Sequence, residues 1–180
     1  VLHHNVFRSY YDIKGNENIS DQVLLFILRQ KPPNILSRRP RFNSRLLKLD
    51  ALTIKNYYHS KGFLDVSIID IFKETNDTVD ILFEITEGKQ YFVSEIKLSG
   101  NKLVPDTKIK QVLSLFENQP YNPVGINDNI YLLENIYHNM SKLFFSIKVK
   151  DNIGDSVSVN IIIDEGKKVS IKNLYLEKIG

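Results

Sequence analysis

The clearest pattern in the chain is an alternation of apolar and polar positions in two separate segments, both of which end in Glu-Gly. The apolar positions are Val79, Ile81, Phe83 and Ile85 in the first segment and Val157, Val159, Ile161 and Ile163 in the second. Side chains of a strand point alternately to opposite faces of a sheet. A period of two therefore predicts, in each segment, a strand with one buried face.

These segments belong to a longer internal repeat. Asp77–Gly88 aligns with Asp155–Gly166 without a gap. Two shorter phrases recur upstream in the same order, namely Tyr58-His59 with Tyr137-His138 and Gly15-Asn16 with Gly100-Asn101. Ordered self-similarity of this kind indicates repeated structural units. The chain therefore contains one design twice.

In the first copy, the pattern predicts a strand followed by two helices. The strand covers residues 7–14, and Ser20 is the expected N-cap of a short helix that the Pro32-Pro33 pair ends. A longer helix covers residues 44–61, and Gly62 is its expected C-terminal stop. The apolar stripe of this helix consists of Leu47, Ala51, Ile54 and Tyr58.

A hairpin completes the first copy, with strands at residues 63–72 and 78–86. The second copy repeats the order, with a strand at residues 91–99, helices at 105–117 and 127–142, and a hairpin that turns at 152–155. The copies differ after the second helix, where Ser141–Phe145 replaces Ser60–Leu64. On this alignment the second copy lacks the glycine of that turn.

The order β-α-α-β-β therefore occurs twice. Two helices can cover one face of a three-stranded sheet, so the prediction is an α+β fold of tandem two-layer modules. The first module is assigned to residues 1–88 and the second to residues 89–166. The segment 167–180 is interpreted as the first strand of a truncated third module.

Composition narrows the functional classes. The 180 residues include 24 basic and 21 acidic ones, and a net charge of +3 is too small to argue for nucleic acid. The absence of cysteine excludes disulfides and thiolate metal sites. The longest apolar run, Val23–Leu28, is far shorter than the roughly 18–20 residues of a membrane helix. Because the chain begins with Val and stops within a predicted strand, we interpret it as a piece of a longer protein.

Three phrases carry a resemblance to a known family. They are Asn56–Val66 (NYYHSKGFLDV), Phe83–Gly88 (FEITEG) and Ile96–Asn101 (IKLSGN). In the order β-α-α-β-β, they resemble POTRA (polypeptide-transport-associated) domains, the periplasmic repeats of the Omp85/BamA-like outer-membrane protein assembly family. The resemblance covers nearly the whole chain and implies a mixed three-stranded sheet in each module.

The resemblance implies non-catalytic recognition of polypeptides at the periplasmic face of an outer membrane, in a Gram-negative bacterium or a derived organelle. Such modules hold unfolded outer-membrane polypeptides and accessory assembly (lipo)proteins, ahead of a C-terminal membrane β-barrel in the same full-length chain. No cofactor and no nucleic acid is expected. The physical means is β-augmentation, in which an extended partner pairs with the exposed edge of a sheet.

The resemblance also locates this edge and the turns. In the family the second strand of the module is an edge strand, which corresponds here to residues 64–72 and 145–150. The expected partner-binding residues are Leu64, Val66, Ile68, Asp70, Phe145, Ile147 and Val149. The expected structural turns are Gly15, Gly62, Gly88, Gly100 and Gly166. Partner side chains are expected in the groove between the edge and the second helix.

Two repeated phrases invite a catalytic or metal-site interpretation. Glu87 and Glu165 resemble catalytic acids, but Glu-Gly favours a turn in which Gly supplies a positive φ and Glu keeps the turn solvated. His59 and His138 lie in different modules without a second ligand at suitable spacing. A packed tyrosine beside an exposed histidine is therefore favoured, and an enzyme is not expected.

The main difference between the copies is the loop at residues 31–43. It contains Lys31 together with the arginines Arg38, Arg39 and Arg41. One interpretation is a docking loop for anionic head groups or an acidic partner. The alternative is a solvated connector between two helices.

Other functions are compatible with the same order of elements. A KH-like nucleic-acid module also uses much of it, but such a module needs a Gly-x-x-Gly clamp between the helices, and neither copy has one. Within the POTRA resemblance, the chain could belong to a two-partner secretion transporter, a chloroplast import channel or a cell-division protein. In such a protein the modules would act as a spacer or adaptor that binds only its own complex partners.

Overall fold

The structure is a computed structural model that describes residues 8–31, 42–75 and 78–170. The chain divides into two compact units, Val1–Tyr91 and Phe92–Gly180. The described residues of each unit form three strands and two helices in the order β-α-α-β-β. The predicted α+β fold is thereby confirmed in both modules. Of the predicted third module, residues 167–170 are in no strand and residues 171–180 lie outside the described part of the chain.

The first module is a mixed three-stranded sheet with two helices. Strand β1 (Arg8–Lys14) is followed by helices α1 (Asp21–Ile27) and α2 (Ser44–Ser60), and the module ends with strands β2 (Ser67–Glu74) and β3 (Thr78–Thr86). The strand order is β1-β3-β2, in which β3 is parallel to β1 and antiparallel to β2. The central strand is therefore β3, and β2 lies at an edge.

The core of this module lies between the sheet and the helices. Buried side chains of β3 follow the predicted alternation, since Val79, Ile81 and Phe83 are almost completely inaccessible. Helix α2 contributes its predicted stripe, in which Ile54 and Tyr58 are fully buried. Burial of each such apolar side chain contributes about 1.5–3 kcal/mol. The sheet is thus stabilised mainly through its central strand.

The second module repeats this architecture. It contains strand β4 (Val93–Ser99), helices α3 (Asp106–Val112) and α4 (Pro123–Asn139), and strands β5 (Ser146–Ile153) and β6 (Val157–Asp164). The strand order is β4-β6-β5, again with the last strand in the centre. Strand β5 therefore takes the edge position that β2 occupies in the first module.

Helix boundaries in the second module differ from the predicted ones. Helix α3 was expected over residues 105–117, but Pro105 is its N-cap and the helix ends before Ser114, whose φ of +51° is left-handed. Helix α4 was expected from residue 127, but it begins at Pro123 because the Asn122 side chain accepts a hydrogen bond from Gly125 N and caps the first turn. A prolyl residue at the first helical position fits this start.

The turn after the second helix is the same in both modules, contrary to the predicted alignment. Gly62 N donates to His59 O at 3.0 Å, and Ser141 N donates to His138 O at 2.9 Å. Ser141 therefore occupies the position of Gly62, and it adopts a left-handed φ of +62°. The second module has lost the glycine, as predicted, but Ser141 rather than Leu143 replaces it.

All five glycines predicted at turns have a positive φ, namely Gly15, Gly62, Gly88, Gly100 and Gly166. The requirement is strictest at the end of the first strand of each module. A Cβ atom on Gly15 would lie 2.0 Å from the carbonyl oxygen of Ile85, and one on Gly100 would lie 1.9 Å from that of Ile163. No side chain fits at either position, because the backbone of the central strand passes directly beside it.

Candidate functional site

The repeated Tyr-His and Glu-Gly phrases meet the loop after β1 at one point in the first module. Both carboxylate oxygens of Glu87 accept hydrogen bonds: Oε1 from Tyr58 OH at 2.7 Å and from Asn18 N at 3.0 Å, and Oε2 from Asn18 Nδ2 at 2.6 Å. Glu87 is only 7% exposed. The expectation that this glutamate keeps the turn solvated is therefore wrong, because its carboxylate binds protein donors in place of water.

The second module has the same arrangement in a more open form. Oε1 of Glu165 accepts hydrogen bonds from Lys102 N at 2.6 Å, from Leu103 N at 2.8 Å and from Tyr137 OH at 3.2 Å. Tyr137 is fully buried, as Tyr58 is, whereas Glu165 is half-buried. We call these two clusters the glutamate clasps, because each joins the end of the central strand to the second helix and to the loop after the first strand.

The electrostatics of the clasps are those of a structural ion rather than of a catalytic acid. Burial by itself would raise the pKa of the Glu87 carboxyl, but the hydrogen bonds from Asn18 and Tyr58 outweigh it and hold the pKa below 4.5. Burial and the hydrogen bond to Glu87 raise the pKa of Tyr58. Glu87 is thus held ionised and Tyr58 neutral, which favours a permanent hydrogen bond over proton exchange.

The histidines of the repeated phrase do not form a metal site. In the described ranges, no group of three His, Asp or Glu side chains is arranged to hold a metal ion. His138 is exposed, as predicted, but His59 is half-buried, and its Nε2 has no hydrogen-bond partner in the part of the chain that the structure describes. Burial, and then the charge of Lys55, lower the pKa of His59. It packs as a neutral side chain.

The free edges of the two sheets are the feature with the clearest binding chemistry. Every residue of β2 is paired with β3, and every residue of β5 with β6. Within the described part of the chain, no strand pairs with the other side of β2 or β5. Each edge is eight residues long and presents outward the backbone N–H and C=O groups that an added strand would satisfy.

Not all of the predicted edge residues lie on these strands. Ile68 and Asp70 lie on β2, and Ile147 and Val149 lie on β5. Leu64, Val66 and Phe145 precede the strands, in the turn that leaves the second helix. Val66 is buried, and Phe145 stacks on Tyr137 with ring centroids 4.3 Å apart. These three residues position the start of the edge and do not form part of it.

In the first module, the side of the edge that faces the helices is partly open, and it is apolar apart from the half-buried Asp70 between Ile68 and Phe72. Ile68 is half-buried against the core. Further along β2, Phe72 is 42% exposed, and its ring centroid lies 4.8 Å from that of Phe42, just before α2. These residues form the groove between the edge and the second helix, which is the place expected for partner side chains.

In the second module the corresponding side is shaped by a polar contact. Ile147 and Val149 are half-buried, and Ile153 at the end of β5 is 49% exposed. Between them, Asp151 accepts a hydrogen bond from the buried Tyr121 at 3.0 Å. Burial and this hydrogen bond raise the pKa of Tyr121. The second groove is therefore apolar apart from one fixed carboxylate.

A family model describes this repeated architecture. The POTRA model, whose description is "Surface antigen variable number repeat", matches residues 10–88 and again residues 91–166. The two matches coincide with the two modules of the fold and together cover most of the chain. The chain belongs to the POTRA family.

Curated relatives of this chain are named as outer membrane protein assembly factors. The chain is 30% identical over 182 residues to the outer membrane protein assembly factor BamA of Buchnera aphidicola, covering 91% of this chain and 28% of the relative. It is 32% identical over 103 residues to a putative outer membrane protein assembly factor of Treponema pallidum, covering 57% of this chain and 12% of the relative. The chain thus spans 28% of the length of the first of these relatives and 12% of the second.

Solved structures show the same POTRA fold. POTRA3-5 of Haemophilus influenzae BamA matches with a TM-score of 0.61 at 17% identity, over 90% of this chain and 66% of that one. BamA of Haemophilus ducreyi lacking POTRA domains 1-3 matches with a TM-score of 0.60 at 17% identity, over 89% of this chain and 29% of that one. At this identity the likeness establishes the fold alone. In the described residues, no helix is long and apolar enough to cross a membrane.

The basic loop belongs to the first POTRA module. Its arginines Arg38, Arg39 and Arg41 lie outside the described residues, but hydrogen bonds fix the chain at both ends of the loop. Asn43 N donates to Oε1 of Gln30 at 2.8 Å, and the buried Asp50 accepts hydrogen bonds from Arg29 N at 2.6 Å and Gln30 N at 3.2 Å. The sequence analysis did not predict this role of Asp50. An acidic residue beside Ala51, on the apolar stripe of α2, was the available indication that its carboxylate is buried and hydrogen-bonded.

Proposed function

We propose that this chain is the periplasmic POTRA region of an Omp85-family outer-membrane protein assembly or translocation factor. In this role it binds unfolded outer-membrane polypeptides and accessory assembly proteins by β-augmentation at β2 and β5. The observation that carries the proposal is the free edge of each module, an eight-residue antiparallel strand beside a partly open apolar groove. Such an edge offers the same hydrogen bonds to any extended chain.

Backbone pairing suits a factor that handles many clients. The N–H and C=O groups of an extended segment are independent of its side chains, so affinity from the ladder tolerates sequence variation. The grooves beside Ile68 and Ile147 add apolar contact on one face of the incoming strand. A client is thus held without a requirement for one particular motif.

The relatives support the outer-membrane setting of this proposal. The relatives from Buchnera aphidicola and Treponema pallidum are named as outer membrane protein assembly factors. Because this chain spans 28% of the former, the C-terminal membrane β-barrel in the full-length protein, the periplasmic location and the accessory partners form part of the proposal. The role is non-catalytic, since the buried carboxylates of the described residues are engaged in structural hydrogen bonds.

Disulfide trapping tests the edges directly, because the chain has no cysteine of its own. Ser67 and Ser146 occupy equivalent exposed positions at the start of β2 and β5. We expect Ser67→Cys and Ser146→Cys to form mixed disulfides with an extended outer-membrane strand peptide that carries a central cysteine. Lys48→Cys on the exposed side of α2 is the matched control. Equal trapping at all three positions, or trapping at the control alone, would refute edge binding.

Proline substitution tests whether the backbone is responsible. A proline within residues 66–71, at a position whose N–H points away from β3, removes an edge donor while leaving the ladder intact. We expect such a variant to keep its circular dichroism spectrum and to lose most of its binding to the same peptide. Unchanged peptide binding by a folded proline variant would exclude β2 as the binding edge.

The basic loop at residues 31–43 is proposed as an additional site for binding anionic head groups or an acidic partner. Reversal of Arg38, Arg39 and Arg41 to glutamate should weaken binding to vesicles that contain anionic phospholipid or to an acidic accessory protein. Vesicles of zwitterionic lipid provide the control. If the variant bound the anionic vesicles and the acidic accessory protein as well as the wild-type chain does, the loop would be a solvated connector instead.

A further inference from the structure

The two edge strands differ on the face that points away from the helices. The register of each hairpin places Ser67 opposite Thr86 and Ser146 opposite Asp164, at the same position of the two modules. Counting from these serines, Ile69 of β2 corresponds to Lys148 of β5, and Ile71 corresponds to Lys150. At these two positions one edge is therefore apolar and the other is basic, whereas the next outward position carries Lys73 on β2 and Asn152 on β5.

On the outer face of the first module, two successive outward positions of the edge strand are apolar and exposed. Ile69 is 54% exposed and Ile71 is 44% exposed. Ile71 lies opposite Leu82 on β3. Ile71, Leu82 and Tyr10 of β1 form the apolar part of a shallow depression of about 400 Å³, which is also lined by the charged Asp12, Lys73 and Asp80. A strand added beside β2 would place its outward side chains next to Ile69 and Ile71.

The outer face of the second module is polar at the same positions. Lys150 lies opposite Asn160, and a depression of about 200 Å³ beside it is lined mainly by polar and charged side chains. The nearby carboxylate of Glu95 is paired with Lys97 at 3.0 Å. Among the described residues, neither Lys148 nor Lys150 forms an ion pair. Two ammonium groups on one edge, at alternate positions of β5, are thus unpaired among the described residues.

The faces toward the helices are more alike. Ile68 and Ile147 are equivalent, and both are half-buried. An incoming strand would therefore meet an apolar groove with its inward residues in either module. Each groove also carries one carboxylate, Asp70 in the first module and Asp151 in the second. The larger difference between the two edges lies in the outward residues, whichever direction the added strand runs, because side-chain alternation does not depend on strand direction.

We propose that the two modules select different strands: the β5 edge takes segments that alternate apolar with acidic residues, and the β2 edge takes segments that are apolar on both faces. This inference rests on the proposed function and gives it a sequence preference. The occupant of β5 is amphipathic, with apolar side chains toward the Ile147 groove and carboxylates beside Lys148 and Lys150. Transmembrane β-strands alternate polar and apolar residues in the same way.

The expected preference is modest, as cross-strand pairs are individually weak. Opposite charges on neighbouring strands attract and like charges repel, and two such pairs give a preference of about threefold to tenfold. Exposed ion pairs are screened by salt. The preference of the β5 edge should therefore fall as salt is raised, whereas that of the β2 edge should persist.

Labelled peptides of equal length test this selection in the whole chain. They alternate valine with glutamate, lysine or phenylalanine and carry a central cysteine. With Ser146→Cys we expect the glutamate peptide to be trapped more than the lysine peptide. With Ser67→Cys the phenylalanine peptide should be trapped most. Adding Lys148→Ile and Lys150→Ile to the Ser146→Cys chain should give it the order seen at β2.

A matched variant separates local pairing from overall charge. Lys108→Gln with Lys168→Gln removes the same charge as Lys148→Gln with Lys150→Gln, from exposed positions outside the sheet. Only the second pair should abolish the glutamate preference. Equal effects of both pairs, or equal trapping of all peptides at each edge, would overturn the selection while leaving β-augmentation intact. Failure to trap any peptide at either edge would overturn the proposed function, and this inference with it.

Discussion

Tyr58 donates its phenolic hydrogen to Oε1 of Glu87 at 2.7 Å, across 29 positions of sequence. The acceptor belongs to the turn that ends the first module, and the donor lies on its second helix. Because Tyr58 is fully buried and Glu87 nearly so, their hydrogen bond replaces water on both groups. The tyrosine of the repeated Tyr-His phrase and the glutamate of the repeated Glu-Gly phrase therefore belong to one hydrogen-bonded cluster.

Substitution of the clasp should destabilise the first module more than the second. In Glu87→Gln, the amide nitrogen cannot accept the hydrogen bonds that Asn18 or Tyr58 donates, so we expect a loss of about 1–3 kcal/mol in unfolding free energy. Glu165→Gln should cost less, since water can reach the half-buried Glu165. Amide hydrogen exchange of β3 and β6 reports the two modules separately. An equal loss of protection in both would contradict this ranking.

The same carboxylates predict an acid-sensitive fold. Hydrogen bonds hold the pKa values of Glu87 and Glu165 below 4.5 in the folded chain, against the opposing effect of burial. A lowered folded-state pKa contributes stability above pH 4.5, which is lost as the pH falls through the folded value. The destabilisation caused by Glu87→Gln should therefore be largest at neutral pH and shrink below pH 4.5.

Thermal unfolding of the wild-type chain and Glu87→Gln, measured from neutral pH down to pH 3, checks this dependence. Asp12→Asn is the control, because Asp12 is an exposed carboxylate whose ion pair with Lys14 lies at the surface. Its substitution should change the stability little, because exposed ion pairs contribute little. A Glu87→Gln deficit that stayed constant into acid would show that the charge of Glu87 is not what stabilises the clasp.

Much of the fold could be predicted because its central strands repeat one pattern. The apolar alternation of β3 and β6 locates two cores, and the recurrence of Gly-Asn before the first helix fixes the order of elements. Each of these signals is local and is read from neighbouring residues. The element boundaries were less predictable, since the start of β2 at Ser67 depends on Val66 being drawn into the core.

The clasps could not be predicted, because their parts are distant in sequence. Asn18 and Glu87 are 69 residues apart, and no property of either residue alone indicates that they meet. Glu-Gly favours an exposed turn on composition, and the structure departs from this only because two other elements supply donors. Repetition was the available signal: Tyr and Glu recur together in both copies, and a solvated turn would not require the tyrosine.

Glycine at the end of the first strand should be irreplaceable in both modules. A Cβ atom on Gly15 or Gly100 would overlap the carbonyl oxygen of Ile85 or Ile163, at 2.0 and 1.9 Å. Alanine at either position forces the central strand to move, and we expect a loss of at least about 2 kcal/mol in unfolding free energy. Gly154→Ala is the control, because the nearest atom to its added Cβ would lie 3.9 Å away.

Urea denaturation of the three alanine variants checks this expectation, with hydrogen exchange to assign each loss to its module. Gly15→Ala should weaken β3 and leave β6 protected, and Gly100→Ala should do the reverse. Gly154→Ala should resemble the wild-type chain. Retention of wild-type stability by Gly15→Ala and Gly100→Ala would mean that the strand beside each glycine can yield easily.

Ser141 offers the opposite experiment, a substitution that should stabilise the chain. Its φ of +62° is costly for a residue with a side chain, by about 1–2 kcal/mol, whereas the equivalent Gly62 adopts +89° without strain. Glycine loses more backbone entropy on folding, by about 0.5–1 kcal/mol, so the net gain from Ser141→Gly should be about 0.5–1 kcal/mol. Gly62→Ser should destabilise the first module by a comparable amount.

The two substitutions form a reciprocal pair, because both positions make the same hydrogen bond to the second residue of the Tyr-His phrase. Urea denaturation of each single variant and of the double variant measures both effects. We expect them to add, since the substitutions lie in different modules. A Ser141→Gly chain less stable than the wild type would show that the serine side chain contributes a contact worth more than the strain it imposes.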